Sequence, residues 1–164
     1  MNRQTLESGL TTMAFSRDML VSFAEDIPDD KLCFQPFPGA NHAIWTLGHL
    51  AWADDYFVRL GGRAGGLPAG WADAVQWGST PKADRSIYPP RSEVMEQLAA
   101  SREALTAWLR SLTEAQLIAP LPDETKRFAA NFAALPASIA WHEGFHAGQI
   151  AVIRKALGLK PKFV

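Results

Sequence analysis

Apolar residues recur at helical spacing along most of this chain, and the pattern breaks in three places. From about Arg3 to Asp26, Leu6, Leu10, Met13, Leu20 and Ala24 return every three or four residues or multiples of that step. This spacing predicts an amphipathic helix, ended by Pro28 in "EDIPDD". Turn-rich "PDDKLCFQPFPGAN" follows, and Asn41 is expected to cap a second helix from about His42 to Leu60, closed by Gly61 and Gly62. Residues 61–88 carry no sustained period and are rich in Gly and Pro. A third helix is expected after Pro89 and Pro90, with Val94, Leu98, Leu105, Leu109 and Leu112 facing inward. Glu93 and Glu96 sit near its start, where acidic groups suit the helix dipole. After an irregular stretch at 113–134, a fourth helix begins near Pro136, runs to Leu157 and stops at Gly158 and Pro161.

Four such helices predict an all-α four-helix bundle. The connections carry the topology. Antiparallel neighbours are joined by roughly 2–8 residues, and 61–88 is far longer. It can run the length of the bundle and leave helices two and three parallel. With a second long connection at 113–134, the expected order is up-down-down-up. Trp71 and Trp77 fall in the first connection and are expected to help form a lid. Trp45, Trp52, Trp108 and Trp141 read as core, and Gly48 as a point of close approach beside another helix.

Composition narrows the function. A chain of 164 residues reads as one domain, 1–164, with a core of its own. A net charge of −1 with interspersed signs gives no footprint for nucleic acid or an anionic membrane. No apolar run approaches the roughly 20 residues that span a bilayer, and the first residues lack a signal peptide's apolar segment. Cys33, the single cysteine, excludes an intrachain disulfide and suits the reducing cytoplasm. In its polar loop it reads as a bystander.

The chemistry lies in "WHEGFHAGQI", residues 141–150. His142 and His146 are one helical turn apart, on the face that continues through Leu135, Ile139, Ile150, Ile153 and Leu157. A lone core histidine is ordinarily structural; two at this spacing can share one metal ion. Gln149, nearly in line with His142 two turns on, is its candidate outer partner. The H-E-x-x-H match suggests a zinc peptidase, but the segment after His146, "AGQIAVIRKALGLKPKFV", offers no Asp, Glu, His or Cys as a further ligand. Glu143 also lies about 100° round the helix from His142, where it can orient an imidazole or face a neighbouring helix. The peptidase reading fails on its missing ligand.

A third ligand then comes from upstream. His42 and His49 share a stripe of the second helix, roughly 10.5 Å apart along the axis, too far for both to reach one ion at about 2.1 Å. His49 is mid-helix and is taken as the ligand; His42 is given a substrate-facing place at the mouth. Three neutral histidines leave a divalent ion an open position, as in catalytic sites.

The stretches "FPGANHAIWTLGHLAW" and "WHEGFHAGQIAVIRKALGL" resemble the DinB superfamily, and the four-helix pattern extends the likeness over the whole chain. The resemblance implies an up-down-down-up bundle, often dimeric, with one divalent metal on His49, His142 and His146 and open water sites. Zinc or nickel is the ion expected. Relatives include bacillithiol and mycothiol transferases and a mycothiol-dependent maleylpyruvate isomerase. The implied function is therefore thiol S-transfer to a small electrophile, with a low-molecular-weight thiol as partner. Metal-dependent hydrolysis, or a non-catalytic stress protein, is the alternative.

Overall fold

The computed structural model describes residues 2–162. The first stripe folds as α1 (Asn2–Ala24), burying Leu6, Leu10, Met13, Leu20 and Ala24. It also buries Arg17, which fills the gap in that stripe. The other long helices are α2 (Ala43–Leu60), α4 (Arg91–Ser111) and α6 (Leu135–Ala156). Between them lie two five-residue helices, α3 (Trp71–Val75) and α5 (Glu114–Ile118). The sequence reading left both in irregular stretches, because five residues are too few to show a period. A local signal did exist for α5: Thr113 and Gln116 form a reciprocal capping box.

α1 packs mainly on α6, and α2 on α4. Gly9 faces Pro136 at the start of α6, while the Phe23 carbonyl accepts from Arg154 near its end, so α1 and α6 run parallel. α2 and α4 are also parallel, since Asp54 meets Arg102 and Gly61 meets Trp108 further along both helices. The order is up-down-down-up, as the long connections predict. A Cβ on Gly61 would come within 2.3 Å of the Trp108 ring, so only glycine lets α2 end against α4. Gly62, at φ +75°, then turns the chain away.

The core is not continuous. One apolar cluster joins Leu20, Ile44, Leu47, Leu50, Leu98, Ile150 and Ile153. A second, at the other end, joins Leu6, Leu10, Phe57, Leu105, Leu109, Leu135 and Ile139. Each leucine or isoleucine so buried contributes about 1.5–3 kcal/mol. Between the clusters the inward positions carry polar side chains, and there the four helices meet.

Three details differ from expectation. His42, not Asn41, caps α2, its ring Nδ1 accepting from the Trp45 N–H at 3.3 Å. Trp71 is buried in the helix that docks on α2 and is an anchor rather than a lid, whereas Trp77 is 79% exposed. Trp141 is not core: it is 69% exposed and stacks on Phe145 along the outer face of α6. Trp45 and Trp108 are core as expected.

Candidate metal centre

α2 and α6 bring His49, His142 and His146 together, so that one ligating nitrogen of each lies within 4.8 Å of the others. His142 and His146 approach Nε2 to Nε2 at 3.0 Å, as the one-turn spacing dictates. Two ligands on a tetrahedral ion, each about 2.1 Å from it, lie roughly 3.4 Å apart. His142 and His146 stand slightly inside that separation, and a ligating nitrogen of His49 lies within 4.8 Å of both.

The outer ring nitrogens fix which atoms point inward. His49 Nδ1 lies 2.8 Å from the Val75 carbonyl; a carbonyl only accepts, so the proton sits on Nδ1 and Nε2 keeps its lone pair. His146 Nδ1 donates to Gln149 Oε1 at 2.8 Å, and Asn41 Nδ2 donates to that same oxygen at 3.1 Å. Gln149 is thus an outer partner, of His146 rather than of His142. Val75 comes from α3, which seats closely on α2: a Cβ on Gly48 would stand 3.0 Å from Val75 Cγ1. The expected close approach at Gly48 is therefore to α3, and it delivers the carbonyl that orients His49.

Burial makes the imidazoles neutral. It pushes His146 down to about 3, with His142 and His49 adding to the effect. It pushes His142 down to about 4, helped by His49 and opposed by Asp54. His49 is lowered by the same cause, against the Val75 hydrogen bond. Neutral histidines are the form that binds metal. His146 and His49 are buried, while His142 is half-buried and leaves an approach to the cluster. Aromatic side chains flank it: Trp45 stacks on His49 at 4.7 Å, Trp52 lies beyond at 5.8 Å, and Phe128 stands edge-on to His142 at 6.0 Å.

The sequence profile of the DinB superfamily matches residues 12–150, a span that includes all three histidines and the helices that carry them. The chain belongs to the DinB superfamily. No curated protein matches it significantly. Among solved structures this DinB-superfamily chain is similar to YfiT from Bacillus subtilis, described as a probable metal-dependent hydrolase with an unusual four-helix bundle topology. Identity is 18%, the TM-score is 0.66, and the match covers 94% of this chain and 88% of YfiT. At that identity the likeness speaks for the fold.

One candidate residue departs from its sequence reading. His42 does not face a mouth. Its ring is 0% exposed, with Nε2 donating to the Lys82 carbonyl at 3.0 Å and Nδ1 used in the cap. Glu143 faces neighbouring helices, one of the two roles read for it. It is wholly buried and turned from the histidines toward Arg17 and Arg102, at 2.5 and 2.9 Å. A carboxylate held there cannot take a proton at the cluster, so the peptidase role is closed to it. Reading missed Arg17, Asp54 and Arg102, although each interrupts an apolar stripe. Among the described residues no helix is long and apolar enough to cross a membrane.

Proposed function

We propose that this protein is a metal-dependent enzyme acting on a small substrate, with one divalent ion held by Nε2 of His49, His142 and His146. One observation carries the reading. His49 and His146 both commit their Nδ1 protons outward, so lone pairs converge with at most one proton, on His142, to separate them. Such a cluster is satisfied by a cation. The three residues fit it by donor type, neutrality and orientation, and zinc or nickel suits imidazole donors. A divalent ion in this setting supplies acidity to a water or thiol that it binds.

The chain's own residues do the rest. Val75 and Gln149 each hold one imidazole in a single tautomer and orientation. Half-buried His142 leaves the approach, and the aromatic side chains beside it exclude water and offer flat apolar surface. We read the reaction as transfer of a low-molecular-weight thiol to a small electrophile, in keeping with the family resemblance. Hydrolysis is the second reading, favoured by the description of YfiT. The exposed Trp141, Phe145 and Val152 on α6 suit a homodimer contact, which Trp141→Glu and light scattering would test.

The test is metal analysis of the untagged protein, then a screen of thiols paired with electrophiles and of small esters and amides. The expected result is about one ion per chain, lost in His49→Ala and kept in His42→Ala, with turnover that needs the ion. The opposite behaviour of the two variants would assign the ligand wrongly.

A further inference from the structure

The histidine cluster leaves a second buried polar cluster without a task. At the waist of the bundle, Arg17, Asp54, Arg102 and Glu143 meet, one from each long helix. Asp54 and Glu143 are 1% and 0% exposed. Arg17 reaches Asp54 at 3.0 Å and Glu143 at 2.5 Å; Arg102 reaches the same two carboxylates, each at 2.9 Å. The arginines also cross-link their own helices, Arg17 donating to the Leu98 carbonyl of α4 at 2.7 Å and Arg102 to the Met13 carbonyl of α1 at 3.2 Å. The two positive and two negative charges cancel.

The division of roles follows the helices. Both carboxylates stand on the helices that carry the histidines; both guanidinium groups stand on the helices that do not. α2 packs mainly on α4, and α6 on α1, with sparse contact between α2 and α6. The histidine cluster nevertheless requires α2 and α6 to stand at one distance and one rotation. Glu143 directly follows His142, and Asp54 comes five residues after His49, roughly 7.5 Å along a rigid helix. Neighbouring positions on the same helices therefore place the two clusters side by side.

We propose that Arg17, Asp54, Arg102 and Glu143 are positioning residues for the histidine cluster: each arginine bridges α2 to α6 and so sets how His49 meets His142 and His146. This inference rests on the metal-binding reading above. Stability alone does not call for such a cluster, since well-packed apolar residues often serve as well as buried ion pairs or better. A planar guanidinium fork with two partners fixes direction as well as distance, and a ligand set needs both.

The experiment loads Co²⁺ into wild type, Asp54→Asn, Arg102→Lys and a control, Asp26→Asn. It reads affinity by chelator competition and ligand geometry by the visible absorption of the bound ion. The control makes the same change beside buried Arg154, at half-exposed Asp26 just past the end of α1. The expected result is that Asp54→Asn and Arg102→Lys fold, bind Co²⁺ about 10–100-fold more weakly, as for other groups that orient ligands, and show altered spectra. Asp26→Asn should stay within about twofold of wild type, as an uncoupled site should. Wild-type affinity and spectrum in either folded quartet variant would overturn the proposal, as would failure of both variants to fold. Failure of the metal reading looks different: wild type binds no Co²⁺, or His146→Ala binds it as well as wild type, and the proposal falls with it.

Discussion

The histidine cluster and the charged quartet are neighbours, both buried and both bridging α2 and α6, yet they differ in closure. In the quartet both carboxylates meet both guanidinium groups. Nothing is left over, and nothing further can bind without breaking a pair. In the histidine cluster two Nδ1 protons are committed outward and the inward nitrogens share a deficit of positive charge. A closed polar cluster holds a fold in place; an open one calls for a ligand. The difference in closure separates the cluster that can take a ligand from the cluster that can only position one.

It is also breakable, and the sharpest break exchanges the two effects. His146→Ala should lower metal affinity by more than the roughly 100-fold that outer partners account for. In metal-free protein it should leave the urea midpoint near wild type, because a neutral buried imidazole is all that is lost. A large loss of metal-free stability would mean that the histidines are structural. Glu143→Gln should do the reverse, costing about 3–5 kcal/mol in urea by leaving two buried arginines short of charge, while about one ion per chain still binds at saturation. Wild type with its metal site full should not cleave casein; cleavage abolished by Glu143→Gln but not by Glu96→Gln would restore the peptidase.

Smaller effects sharpen the contrast. Gly48→Ala should push Val75 away and loosen its carbonyl from His49 Nδ1, lowering metal affinity about tenfold, the low end for an orienting partner; titration against a chelator reads it. Acid should act on the open cluster. In metal-free protein burial holds His142 and His146 at about 4 and about 3, below the unfolded value of about 6.5. The folded chain therefore binds fewer protons, and their contribution, full above pH ~6.5, is lost as pH falls from there toward their folded values, by about 1 kcal/mol per unit for each histidine. Urea midpoints against pH check this, and a flat profile between pH 6 and 4 would deny the burial. The least effect belongs to His42→Asn, which replaces one cap with a better one and should leave metal affinity within about threefold.

The apolar stripes made the four long helices legible, and the length of 61–88 made their order legible. The pair His142 and His146 could be read because a helix turn converts sequence spacing directly into distance. His49 needed the further argument that a ligand sits mid-bundle. Side-chain contacts between helices were harder to read. Asn41 is the commoner capping type, but its amide is committed to Gln149, and the cap fell to His42. The quartet has no spacing at all, since its members come from four helices. Its only trace is a charge where a stripe demands an apolar residue, as at Arg17 between Met13 and Leu20. Trp141 looked like core because aromatic residues usually are, and only the packing of α6 on α1 shows that its face is left open.

Parallel pairing of α1 with α6 has a consequence for the chain as it is made. Arg154 meets Phe23 across 131 residues of sequence, so α1 waits through most of synthesis for its partner helix. α2 and α4 are complete sooner and pair locally, but they carry only one of the three histidines. The histidine cluster therefore cannot close on a partial chain. It forms only when α6 has emerged and found α1, a late, long-range step of the kind that slows folding. A chain stalled before residue 142 lacks two of the three histidines, so under the proposed function metal capture would mark completed folding.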